Sequence, residues 1–265
     1  MIVIRGRGAT YGEAWYDEEP PGKPGVDIIL YLQRHAPIAT SRHTPVLSLA
    51  TDLSLEDGEI MDKFSKDCRY EIRRAETRDG LETEFLRKPE GRLDEFREFY
   101  DTFAGQKSVV PSDHRWLVAA CESDQLALSS ASRNGEVLVW HAYVISANTA
   151  RLHYSGSCFR NRPSDYRALV GRANRWLHWR DMQRLKELGM LHYDWGGLFA
   201  DESALERAGI NRFKREFGGR QECRYDCTVA ATIRGRIWLA LRDAWQRGKS
   251  VGNLREFVSR QQLPS

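Results

Sequence analysis

The sequence predicts an α/β fold built around a mixed α+β sheet, and three observations lead there. A meander of three strands lies at Gln125 to Ser132, Val137 to Ser146 and Arg151 to Gly156, its first connection marked by the hairpin-forming pair Asn134-Gly135. A long helical stretch follows, starting at Ser164 or Asp165 and ending at Gly189. A short strand at Leu191 to Trp195, a shorter helix and a strand at Arg224 to Ala231 complete the series. Meander, helix, strand, helix, strand is an order in which a sheet acquires helical cover.

The elements before and after this series can be justified in turn. Apolar runs predict strands at Ile2 to Ile4, Gly12 to Tyr16, Val26 to Leu32 and Val46 to Leu49, with Asp17 to Gly25 a loop rich in Pro and Gly. Residues 55 to 78 predict one charged amphipathic helix with Phe64, Cys68, Ile72 and Ala75 on its apolar stripe. Lys63, Lys66, Arg69, Arg73 and Arg74 lie mostly off that stripe. Gly80 stops it, and Leu81 to Leu86 is extended. Leu93 to Phe103 is a helix whose Phe96, Phe99, Tyr100 and Phe103 form a core-facing aromatic stripe. Ser112-Asp113 caps a further helix running through Cys121. Arg236 to Arg247 and Leu254 to Gln261 predict two C-terminal helices. The expected organisation is an N-terminal partial lobe over 1–88, a main domain over 89–235 and C-terminal helices over 236–265.

Composition narrows the function classes. A chain of 265 residues, 41% hydrophobic and 29% charged, can bury the core of one large domain or of two lobes. No apolar run approaches the roughly 20 residues needed to span a bilayer. Met1 to Gly6 lacks the apolar region of a signal peptide, so a cytoplasmic location is expected. The five cysteines are scattered; Cys223 and Cys227, at i and i+4 on a strand, share a face without a second ligand pair, so no metal site is expected. Net charge is +3, yet residues 160–186 carry +6 and residues 207–224 carry +4, leaving −7 for the remainder. Such a bias attracts phosphate-bearing partners, unless counter-charges close over it in three dimensions.

The most informative stretch is Tyr193-Asp194-Trp195-Gly196-Gly197, followed by Phe213-Lys214-Arg215-Glu216-Phe217-Gly218-Gly219. An acid at a strand end, a lysine between two phenylalanines and two glycine pairs bring one acid, one cation and bare backbone together, which suits chemistry at a carbonyl. Asp194 could orient or deprotonate an amine, cap a helix or pair with a nearby Arg. His141 and His153 sit on adjacent strands with side chains on opposite faces and make no catalytic pair. Ser155 and Ser157 lack the G-x-S-x-G elbow of a hydrolase. His178 and His192 read as hydrogen-bonded structural groups. Of Trp176 and Trp179, one is expected in the core and the other beside a groove. The nearest candidate for a pyrophosphate loop, Arg167 to Ala173, has one residue too many and is crowded by Leu169 and Val170, which disfavours coenzyme A.

Together with His153-Tyr154-Ser155-Gly156, the helix Ala173 to Trp179, Gly189 and the basic helix Lys66 to Ala75, these motifs resemble the FemABX group of the GNAT-like N-acyltransferase superfamily over residues 60 to 225. The resemblance implies a GNAT-like acyl-CoA N-acyltransferase fold, here with a reduced first GNAT-like lobe. It implies transfer of an aminoacyl group from aminoacyl-tRNA to an amine of a small-molecule or peptide acceptor, with tRNA as partner and no cofactor beyond that co-substrate. Lys214 and Asp194 then become the catalytic candidates. Phe213, Tyr193, Trp195, Gly196, Gly197 and Tyr154 become substrate-binding candidates, and Arg172, Arg175, Arg212 and Arg215 phosphate or tRNA contacts. Two alternatives stand beside this reading. One is an N-acyltransferase using acyl-CoA or an acyl-carrier protein on a sugar or metabolite amine. The other is a non-catalytic protein that binds RNA or polyphosphate. The chain lacks the second full lobe and coiled-coil arm of bridge-forming members, which argues against a peptidoglycan acceptor.

Overall fold

The computed structural model describes residues 1–6, 8–20, 25–39, 41–107, 109–160 and 162–249. Its first half contains β1 (Ile2–Arg5), β2 (Thr10–Trp15), β3 (Ile28–Arg34), β4 (Arg42–Asp52), α1 (Asp57–Asp62), α2 (Lys66–Arg78), β5 (Glu82–Leu86), α3 (Leu93–Lys107) and α4 (His114–Glu122). The second half contains β6 (Leu126–Arg133), β7 (Glu136–Ser146), β8 (Thr149–Ser157), α5 (Ser164–Glu187), β9 (His192–Gly197), α6 (Leu205–Arg215), β10 (Arg220–Ala230) and α7 (Ile233–Lys249). The expected helix at Leu254 to Gln261 lies outside the described residues.

Packing divides the described residues into two compact units, one of residues 1–47 with 223–249, the other of residues 48–222. The expected boundaries at 88 and 235 fall elsewhere, because pairing of distant segments decides which residues belong together. In the first unit β2 pairs parallel with β3, β1 pairs antiparallel with β2, and β10 returns to pair antiparallel with β3. Helix α7 lies on these strands, with Leu239 packed against Ala9 and Ile28.

In the second unit the strands run in the order β4-β9-β8-β7-β6-β5. Every neighbouring pair is antiparallel except β8 and β9, which a crossover through α5 makes parallel. One face carries α5, whose Leu169, Val170, Ala173 and Leu177 close over Ala131, Leu138 and Val139. Removing one of these large side chains, as in Leu177→Ala, should cost about 2–5 kcal/mol. The other face carries the aromatic stripe of α3, with Phe96 edge-on to Trp140 and Tyr100 against Tyr154.

Two local departures from the sequence reading have clear causes. The helix expected over 55–78 is broken in two, because the Ser65 side chain accepts from the Cys68 amide and caps α2, while the Ser65 amide donates to the Glu216 carbonyl. Cys223 is exposed and Cys227 buried, and the register shift between Tyr225 and Cys227 places its extra residue on β3, where Gln33 has a φ of +60°. His141 and His153 do face opposite ways. His141 points to α5, and His153, the extra residue where the β7–β8 register steps from Ala142↔Tyr154 to Tyr143↔Leu152, stacks on Trp116 of α4.

Candidate active site

Strands β8 and β9 are paired at only three positions, Thr149↔His192, Ala150↔Tyr193 and Arg151↔Asp194. Beyond Arg151 and Asp194 both strands continue, to Ser157 and Gly197, without pairing to each other. The carboxyl ends of parallel strands, where neighbours part, are where α/β proteins place ligands. Asp194 stands at this fork, 3% exposed. Its Oδ2 accepts from Arg151 Nη1 at 2.8 Å, and its Oδ1 from Ser48 Oγ at 2.6 Å and from the Gly196 amide at 2.8 Å. The fold thus selects one of the alternatives for Asp194: both oxygens are occupied, and its carboxylate pairs with Arg151 and shapes the turn after it. That turn takes Gly196 to a φ of +79°, a conformation side-chain-bearing residues avoid.

Helix α6 delivers the cation. Asn211 and Lys214, three apart, are the buried residues of a helix whose other positions are half-buried or exposed. Asn211 anchors it, accepting from the Phe199 amide and donating to the Phe199 carbonyl and to Glu202. One turn later Lys214, 2% exposed, donates from Nζ to the Gly197 carbonyl at 2.9 Å. The ammonium is therefore directed at the strand fork and away from solvent. Burial, reinforced by the Arg151 charge and opposed by Asp194, pulls its pKa down to about 7. The helix can approach this closely because Gly218 and Gly219 follow it with positive φ. A Cβ at Gly218 would lie 2.8 Å from the Lys63 carbonyl oxygen, and one at Gly219 would lie 2.9 Å from that of Ala50.

The opposite face of β9 is a closed network. Tyr193 is fully buried; its hydroxyl lies 2.9 Å from that of Tyr143 and 2.7 Å from His178 Nδ1. Tyr143 donates to Asp181 Oδ2 at 2.6 Å, which also accepts from Ser129 and faces His141 Nδ1. Burial and the Asp181 charge push both tyrosines well above their ordinary pKa, and burial holds His178 well below its own. Trp195 is as enclosed, donating to Thr51 Oγ1 and packed on Phe217. Tyr154 is in the core as well, accepting from the Asp113 amide beneath Tyr100 and Trp116. Tyr193, Trp195 and Tyr154 were expected to touch substrate, but their places are structural. Trp176 and Trp179 are likewise both buried, so neither lines a groove.

The expected phosphate contacts separate into three kinds. Arg172 is spent internally, donating from Nε and Nη2 to the two oxygens of buried Asp79. Arg175 pairs with Glu216 and lies 5.0 Å over the Phe213 ring. Arg215 pairs with Glu202 at the surface, and Arg212 is exposed. A groove of about 480 Å³ opens beside the first turns of α5, lined by Ser157, Ser164, Arg167, Gly171, Arg175 and Phe213. Lys214 is not among its lining residues. Reading the sequence missed Arg151, Ser48, Tyr143 and Asp181, since alternation marks a strand position without telling whether an Arg or Ser there points to water or to a buried acid. Among the described residues no three His, Cys, Asp or Glu are grouped to hold a metal ion, and no helix is long and apolar enough to cross a membrane.

Comparison with known proteins agrees with this fold. Among solved structures, FemX superposes with a TM-score of 0.57 at 14% identity, covering 73% of this chain and 63% of its own. The C-terminal domain of a protein assigned as a lysylphosphatidylglycerol synthetase from Agrobacterium fabrum gives 0.51 at 15% identity, covering 82% and 72%. A conserved protein of unknown function from Bacteroides thetaiotaomicron gives 0.50 at 14%, covering 76% and 69%. No curated protein sequence matches. These likenesses establish the mixed α/β fold expected from the FemABX resemblance, and the chain spans less than two thirds of the FemX length. The profile of the Acetyltransferase (GNAT) domain matches residues 62–215, more than half of the chain and the whole path from α2 to Lys214. The chain therefore belongs to the GNAT acetyltransferase family.

Proposed function

We propose that this acyltransferase moves an aminoacyl group from aminoacyl-tRNA onto an amine of a small-molecule or peptide acceptor. The observation that carries the reading is Lys214: a buried ammonium with a pKa near 7, fixed on the Gly197 carbonyl at the β8–β9 fork. A general acid works best with a pKa close to the working pH, and a buried cation stabilises charge on a carbonyl oxygen. In the proposed reaction the acceptor nitrogen attacks the ester carbonyl, the C–N bond forms and the C–O bond to the terminal ribose breaks. The departing ribose oxygen takes a proton from Lys214, which recovers one from the attacking nitrogen. Arg151 keeps the Lys214 proton labile, and Asp194 holds Arg151 in place. The 3′ end of the donor would lie in the groove beside α5, with Arg167 and Arg175 toward its phosphates and Phe213 leading to the fork. The names of two structural neighbours, FemX and a lysylphosphatidylglycerol synthetase, are compatible with such a donor. A cytoplasmic location, where charged tRNA is found, belongs to the same proposal.

A thioester donor is the second reading, favoured by the acetyltransferase description of the family and by the groove at the start of α5. One experiment separates them. Candidate amines are incubated with charged tRNA or with acyl-CoA, with and without ribonuclease, and products are weighed by mass spectrometry. Ribonuclease-sensitive product that falls about 10²–10³-fold in Lys214→Ala supports the proposal. Product from acyl-CoA alone replaces it with the thioester reading, and tRNA binding without product under any condition leaves the silent RNA-binder.

A further inference from the structure

Arg167, Gly171, Asn174 and Arg175 fall on one stripe of α5 by helical spacing, and all four line the groove. They do not offer a ligand the same thing. Arg175 is occupied: it pairs with Glu216, donates to the Gly171 carbonyl and lies over the Phe213 ring. Gly171 leaves the middle of the stripe open, since a Cβ there would meet only Arg175 Nη1, at 3.8 Å. Arg167 is exposed, and its side chain makes no hydrogen bond or ion pair among the described residues. Asn174 is half-buried and held at one atom.

That atom decides how Asn174 faces the groove. Its Oδ1 lies 2.9 Å from His141 Nε2, and a carboxamide oxygen only accepts, so the hydrogen belongs to the histidine. The other ring nitrogen, Nδ1, lies 2.9 Å from Asp181 Oδ2, which also accepts from Ser129 and Tyr143. His141 is fully buried and donates in both directions. The oxygen of Asn174 is thereby drawn inward, and its amide nitrogen, with no hydrogen bond among the described residues, is left for the groove. We propose that Asn174 is the specificity-determining residue of this groove, donating its amide hydrogens to an uncharged oxygen of the ligand. His141 is the positioning residue that keeps the carboxamide that way round. Arg167, one stripe position beyond Gly171 and about 10 Å along the helix axis from Asn174, takes a phosphate of the same ligand. The ligand class is a phosphate ester with a neutral carbonyl or hydroxyl oxygen at about that distance from its phosphate. Coenzyme A and the 3′ end of tRNA both meet this description. The assignment therefore rests on the groove being the donor site, not on which donor fills it.

The full chain is titrated with coenzyme A and, separately, with cytidylyl-cytidylyl-adenosine, the 3′ terminus of tRNA. Binding is followed by calorimetry and by the proton–nitrogen signals of the side-chain amides. One of the two probes should bind and move the Asn174 amide pair, which is identified by its loss in Asn174→Asp. That variant keeps an oxygen for His141 but replaces the donor with a charged acceptor. It should weaken the probe about tenfold or more without lowering the melting temperature. His141→Phe should weaken it about as much, and His141→Gln, which restores a donor, should recover most of the loss. Arg167→Ala should lower the salt dependence of binding by about one phosphate contact. The proposal is overturned if neither probe binds the wild type, if the Asn174 pair stays in place at saturation, or if Asn174→Asp binds like the wild type. The donor question separates cleanly: coenzyme A binding through Asn174 upholds the proposal while replacing the tRNA donor, and trinucleotide binding indifferent to Asn174→Asp does the reverse.

Discussion

The two faces of β9 treat buried polarity in opposite ways. On one face Tyr193 enters a network in which a single carboxyl group, that of Asp181, receives Ser129 and Tyr143 and faces His141. Hydrogen bonds from two hydroxyls and a histidine at 2.9 Å surround it, and it serves as framework. On the other face Asp194 pairs directly with Arg151, and its charge opposes the fall of the Lys214 pKa. Burial, with the Arg151 charge adding to it and Asp194 opposing, leaves Lys214 only loosely protonated near neutral pH.

The largest expected effect breaks this contrast at its centre. Asp194→Ala leaves Arg151 without its buried partner and should cost about 3–5 kcal/mol in urea denaturation; wild-type stability in that variant would mean that the ionic corner is not held as described. Tyr143→Phe probes the other face and should cost about 1–3 kcal/mol by leaving Asp181 short of a donor. It should change turnover only a few-fold; a loss comparable with that of Lys214→Ala would move the network from framework into chemistry.

A pH series sharpens the comparison further. The folded pKa of Lys214, about 7, lies below the ordinary 10.5, so between those values the unfolded chain holds a proton that the folded chain has lost. Stability must then rise with pH through that window, by up to about 1.4 kcal/mol per unit, and lie flat below it. Subtracting the profile of Lys214→Met isolates this slope, and a flat difference would show that the amine is not depressed. The smallest effect concerns the arginines. If tRNA binds, Arg212→Ala should reduce the salt dependence of binding by about one phosphate contact, while Arg172→Ala should leave that slope unchanged and lower the melting temperature.

These contrasts also explain what could be read in the sequence. The meander, the long α5 and the strand that follows it were legible because hydrophobic period and turn residues specify them locally. Lys214 and the glycine pairs were legible through motif spacing. The distinction between Arg172 and Arg212 was not: both are arginines in basic helical segments, and only tertiary packing brings Asp79 against the first. The break at Ser65 was hidden because a serine within an amphipathic pattern can cap a helix or sit in its interior, and the Glu216 carbonyl that rewards the cap is distant in sequence. Arg151 and Ser48 escaped for the same reason, since their common partner is Asp194.

Gly218 has one more consequence. It carries no chemistry, yet its bare backbone lets the loop after α6 settle onto the Lys63 carbonyl, and that seat sets how far the helix leans toward the fork. A methyl group there would act as a shim, lifting α6 by a few tenths of an ångström and shifting an amine anchored one turn upstream. If Lys214 is the cation of the proposed reaction, its alignment is held by a missing side chain, and Gly218→Ala should show in turnover as well as in stability.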